Sequence, residues 1–136
     1  MRSGLKWAGV ALIVAVAGTL GWIRLAPDDV ARWHQLPDVV ADRDMENGVM
    51  RVVPGDLDDL DRIIQAEPRT HVLAGSVGEG MITYVTRSAA FGFPDYTSVA
   101  QRGEDLALYA RSRYGKSDMG VNKARVDRWL GALGGV

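Results

Sequence analysis

The sequence predicts an α+β protein: an N-terminal transmembrane helix, then a two-layer domain with an antiparallel sheet and helices on one face, ordered β-α-β-β-β-β-α. Three observations carry that reading. Residues 7–23 contain no charge. Residues 70–114 hold extended, half-apolar runs, two pairs of which are joined by Gly-containing links short enough for hairpin turns, which makes the pairing antiparallel. The C-terminal stretch repeats apolar side chains at helical spacing.

Arg2 and Lys6 precede the run WAGVALIVAVAGTLGWI, and Arg24 closes it. Seventeen uncharged residues span about 25 Å of helix, against a hydrocarbon core of about 30 Å. Leu5, Leu25 and Ala26 lengthen the apolar stretch, and Lys6 and Arg24 can snorkel. Trp7 and Trp22 stand near its ends, where interfacial aromatics belong. A cleaved signal peptide is the rival, since Ala15-Val16-Ala17 has the small-x-small form of a processing site. That triplet lies inside the apolar run rather than after it, which favours an uncleaved anchor. Basic residues before the helix, and Asp28 and Asp29 after it, predict a cytoplasmic N-terminus. The expectation is a single-pass inner-membrane protein with its domain in the periplasm, touching the lipid bilayer through residues 7–23.

Residues 1–26 are thus read as cytoplasmic tip and anchor, 27–47 as a linker, and 48–136 as the exported domain. The linker is acidic and broken by Pro27 and Pro37, and is expected to lie loosely over the domain. Trp33 is its bulkiest side chain and is expected to dock on the domain or on the membrane surface.

Within the domain, residues 48–53 (GVMRVV) suit a strand ended by Pro54-Gly55. Asp56 offers a helix N-cap, and Leu57, Leu60, Ile63 and Ile64 share one face of a helix over 56–67. Its DLDDLD run lacks the glycine and distal glutamate of an EF-hand loop, so no calcium site is read there. Strands follow at 70–77, 81–88, 96–102 and 105–114. In the last, Leu106, Leu108 and Ala110 alternate with Ala107, Tyr109, Arg111 and Arg113, giving an apolar face and an arginine face. The closing helix is expected to be N-capped by Asn122 and stapled by Val121 and Val126. Val126, Trp129, Leu130 and Leu133 form its buried stripe, and Gly134-Gly135 ends it.

The absence of cysteine removes disulfides, thiolate metal ligands and thiol nucleophiles. A net charge of −1 argues against nucleic acid as a partner. The charge is uneven: residues 24–67 carry five basic and eleven acidic side chains, residues 68–136 nine basic and six acidic. The two halves are expected to neutralise each other across the fold.

Five segments carry a family likeness: Thr83-Tyr84-Val85-Thr86-Arg87-Ser88, Phe91-Gly92-Phe93-Pro94-Asp95-Tyr96, Arg111-Ser112-Arg113-Tyr114-Gly115, Ser117-Asp118-Met119-Gly120-Val121-Asn122 and Arg125-Val126. Residues 82–133 in this pattern resemble the domain-of-unknown-function 1499 family, in its alphaproteobacterial, membrane-anchored form. The resemblance implies a small bacterial protein behind an N-terminal membrane segment, and implies no reaction.

Arg87, Arg111, Arg113 and Arg125 are expected to lie near Asp95, Asp118 and Asn122. As a structural cluster they would brace two loops through carboxylate forks. As a site they would receive a carboxylate, phosphate or headgroup near the start of the last helix. Arg125, early in that helix, opposes the helix dipole and calls for a carboxylate, Asp118 or Asp95. No catalytic residue, metal site or cofactor is read. His34 and His71 stand in no hydrolase motif, and an arginine-rich setting turns Asp95 and Asp118 toward ion pairing rather than proton transfer. Two functions follow as expectations: a non-enzymatic accessory or interaction subunit of a membrane protein complex, or a binder of an anionic or amphiphilic small ligand through the arginines.

Overall fold

A computed structural model of the chain describes residues 2–135; Met1 and Val136, the outer ends of the anchor and domain ranges, lie outside them. The first helix, α1 (Arg2–Leu25), is long and apolar enough to cross a membrane by length and composition, and Ile23 is its one buried residue. A single turn follows, α2 (Val30–Trp33), N-capped by Asp29, whose carboxylate accepts from the Ala31 amide. Then come β1 (Arg43–Met45), β2 (Gly48–Pro54), α3 (Leu57–Gln65), β3 (Thr70–Ser76), β4 (Met81–Arg87), β5 (Pro94–Arg102), β6 (Asp105–Ser112) and α4 (Val121–Gly134).

From β2 onward the order is the β-α-β-β-β-β-α read from the sequence, and every strand pair is antiparallel. The sheet runs β1-β2-β6-β5-β4-β3, so the last strand is inserted between β2 and β5. Ala110 faces Val49 on one side and Thr97 on the other. Segment 27–47 holds more than a linker: it supplies α2 and the edge strand β1. Four- and three-residue elements leave no periodicity to read.

The α3 start is as expected, with Asp56 accepting from the Asp58 amide at 2.8 Å. The α4 start is not. Its N-cap is Gly120, in the left-handed region at φ 77, and no side chain bonds from that position. Asp118 does the capping instead: its carboxylate accepts from the amides of Gly120 (2.9 Å) and Asn122 (3.1 Å). Two successive left-handed residues, Met119 at φ 55 and Gly120, turn the chain so that this carboxylate folds back over the helix. Asn122 therefore sits in the first turn, buried, and donates to Asp118 (2.9 Å) and Ser112 (3.2 Å).

Both long helices of the domain pack on one face of the sheet. Leu60 and Ile64 of α3 and Val126 and Trp129 of α4 join Ile82, Val99, Leu106 and Leu108 in the main core. On the same face Arg51 is held by Asp44 of β1 at 2.8 Å and Asp127 of α4 at 3.4 Å. Segment 27–42 straps the other face, where Trp33 stacks on Tyr96 with centroids 4.0 Å apart and planes at 6°. Val85 completes that smaller core.

Candidate functional site

Strand register decides which of the seven charged and polar residues meet. Arg87 ends β4 opposite Pro94, and Tyr96 lies opposite Arg111. By the alternation of side chains, Arg87, Tyr96, Arg111 and Arg113 face the strap, whereas Asp95 faces α4. The single cluster expected from sequence is therefore two, separated by the sheet.

On the helix side, Arg125 donates to Asp95 at 3.1 Å, both side chains largely buried, and more weakly to Asn122 Oδ1 at 3.4 Å. Asp95, not Asp118, answers the cation in α4, because Asp118 is engaged by the turn. A carboxylate paired with an arginine and one holding two backbone amides are both committed as acceptors. This half joins β5 to α4.

On the strap side the organising residue is one that sequence reading used only for topology, Asp28. Its carboxylate accepts a short hydrogen bond from the Tyr96 hydroxyl and lies 3.4 Å from Arg87 and 3.8 Å from Arg113. Burial, reinforced by that carboxylate, pushes the Tyr96 hydroxyl up to about 12. Arg113 also donates to the Pro27 carbonyl at 3.1 Å. Arg87 donates to the carbonyls of Gly92 (2.9 Å) and Ile23 (3.1 Å). Ile23 lies in the last turn of α1, where carbonyls lack partners and a cation is favourable. Arg24 donates to the carbonyls of Ala90 (2.9 Å) and Phe91 (3.4 Å), and Ala26 is buried. The end of α1 is thus fastened to the loop between β4 and β5. Asp28, Tyr96 and Arg24 belong to this network, although the sequence reading did not place them in the cluster. The Asp28-Asp29 pair beside Pro27 was the available signal.

Arg111 is different again. It is 5% exposed, and its guanidinium donates to the carbonyls of Trp33, Gln35 and Tyr109 and to Ser98 Oγ. It also lies over the rings of Tyr109 (4.6 Å) and Trp33 (5.5 Å). No carboxylate is among its partners in the described residues, and burial pushes its pKa down to about 10. The hydroxyl network continues from Ser98 to Thr83 (2.8 Å) and His34 (2.7 Å). Arg111 borders a cleft of about 510 Å³ with Arg32, Gln35, Tyr109 and Arg113. Three arginines and no carboxylate line this cleft, a composition that suits an anion.

Among the described residues no group of three or more His, Asp or Glu side chains gathers as a metal ion would need. A family model described as "Protein of unknown function (DUF1499)" matches residues 25–133. The match begins at the end of α1, so it takes in the strap, which the five segments quoted above do not reach. No curated protein matches the chain.

Proposed function

The chain belongs to the DUF1499 family, to which no activity is assigned, and from its geometry we infer a membrane-anchored, non-enzymatic accessory or interaction subunit. In this reading α1 crosses the inner membrane once, Arg2 and Lys6 remain in the cytoplasm, and the domain stands in the periplasm. The carrying observation is the joint between α1 and the domain. Arg24 and Arg87 bond across it in opposite directions, and Asp28 ties the following residues to Tyr96. Such a joint holds the domain at one attitude to the helix, which serves a subunit that presents a surface to a membrane partner. Uncleaved retention is supported by Trp22 and Leu25, which are exposed beside the joint. After processing at Ala17 they would remain on the product in water.

The test is extraction in mild detergent followed by mass spectrometry of co-purifying proteins. A reproducible large complex is expected, and a lone monomer would overturn the accessory reading. Topology is tested separately: alkaline phosphatase fused at the C-terminus is expected to be active, and an inactive fusion would overturn the periplasmic placement.

Arg111 favours a second reading, an anionic or amphiphilic small ligand in the cleft it borders. Phosphate, citrate or anionic lipid is then expected to raise the melting temperature of the wild type but not of Arg111→Gln. No shift beyond a chloride control would remove this reading.

A further inference from the structure

The two ends of the sheet differ. At the end where α1 arrives, β4 runs into the 88–93 loop and β6 into the 113–120 loop that leads to α4. Arg87, at the last position of β4, reaches Ile23 there. The far end carries turn 77–80, turn 103–104 and the start of α3, with Glu79, Glu104, Asp56 and Asp58.

The near end, where Glu46 and Asp118 also lie, carries a group of exposed apolar side chains. Phe91 is 50% exposed, Val121 48%, and Met119 92%. The rings of Phe91 and Phe93 lie 5.7 Å apart, and Phe93 lies 6.4 Å from Tyr114. Phe93, Tyr114, Met119 and Val121 line one mostly apolar cleft of about 370 Å³. A continuous apolar strip therefore leads from Arg24, bonded to the Phe91 carbonyl, to the start of α4. Met119 holds a left-handed backbone with its side chain in the open, a conformation that costs a non-glycine residue free energy. Apolar surface contiguous across two loops marks a contact surface more than chance exposure does.

We propose that this strip docks on the lipid interface of the bilayer that α1 spans, with Phe91 and Met119 among the upper acyl chains and Arg24 and Lys116 toward headgroup phosphates. Continuity selects the occupant: the strip starts at the last turn of the apolar helix, the level at which the bilayer ends. Aromatic and long cationic side chains are the types that settle at that depth. The inference rests on the reading of α1 as a membrane helix.

The chain has no cysteine, so each introduced one is unique. Val14→Cys, Phe91→Cys, Met119→Cys and, at the far end, Glu79→Cys in the full chain are labelled with an environment-sensitive fluorophore. They are then reconstituted in vesicles of phosphatidylcholine and phosphatidylglycerol, with intrinsic Trp emission checking each fold. Labels at 91 and 119 are expected to shift to the blue and to lose more emission to lipids carrying a nitroxide near the headgroup than to lipids carrying one at the chain end. The label at 14 is expected to show the reverse order, and the label at 79 no quenching by either. If 14 is quenched and 91 and 119 are not, the docking is wrong while the anchor stands. A blue shift at 91 and 119 without lipid quenching would also overturn it, and would assign the strip to a protein contact. If 14 is unquenched, both readings fail.

Discussion

On one face of the sheet α3 and α4 press Leu60, Ile64, Val126 and Trp129 onto aliphatic strand residues; on the other, a strap with one helical turn lays Trp33 on Tyr96 and ties Arg111 and Asp28 by hydrogen bonds. The first face is closed by area. Burial there is non-directional, and its stabilisation grows with the apolar surface removed from water. The second is closed by individual polar contacts, several of them arginines donating to backbone carbonyls. Such contacts add little net stability each, but leaving one unmade in a buried place is costly. The difference implies that the helix face sets global stability and the strap face sets where α1 and segment 27–42 are held.

The comparison breaks first at Trp129, which is 2% exposed. Trp129→Ala is expected to cost about 3–5 kcal/mol in chemical denaturation. A loss below about 1 kcal/mol would mean that α4 does not anchor the core. Because the Trp129 indole N–H is buried without a hydrogen-bond partner in the described residues, Trp129→Phe is expected to lose much less.

Asp28 gives the next effect. Asp28→Ala leaves the Tyr96 hydroxyl and two partly buried arginines without their carboxylate, at an expected cost of about 1–3 kcal/mol. Its signature separates the faces: in hydrogen exchange, amides of residues 27–42 are expected to open faster while those of α4 keep their protection. Uniform loss across both faces would show that the strap is part of the global unit.

The smallest effect is in alkali. Tyr96 is raised from 10.0 to about 12 in the folded chain, so its contribution is fully present below pH 10.0 and is lost as pH rises through about 12. Comparing the wild type with Tyr96→Phe across that window isolates the term, since the other titrating groups are common to both. The advantage of the wild type is expected to shrink as pH rises. A constant difference would place Tyr96 in water rather than under the strap.

Periodicity explains what could be read in advance. β2 through α4 repeat apolar residues every second or every third to fourth position, and the helix face follows from those repeats. The strap face has none. Asp28 and Tyr96 are 68 residues apart, and Trp33 and Arg111 78, with one contributor from each element. The seven residues do not form the one cluster expected of them, because a grouping by proximity to loops ignores that register sends Asp95 and Arg87 to opposite faces. Asn122 was misread as a cap because two left-handed residues before it moved the capping role back to Asp118.

The position of β6 sets an order in time. β2 pairs with β1 and β6, β5 pairs with β4 and β6, and nothing joins the two halves of the sheet until β6 lies between them. As the chain is made from its N-terminus, β2 is finished early and must wait through residues 55–104 before its long partner begins. Closing so distant a pair is slow, and it leaves the β2 edge open in the interval. Residues 24–67 carry eleven acidic side chains against five basic, and that like charge opposes association of one waiting half with another.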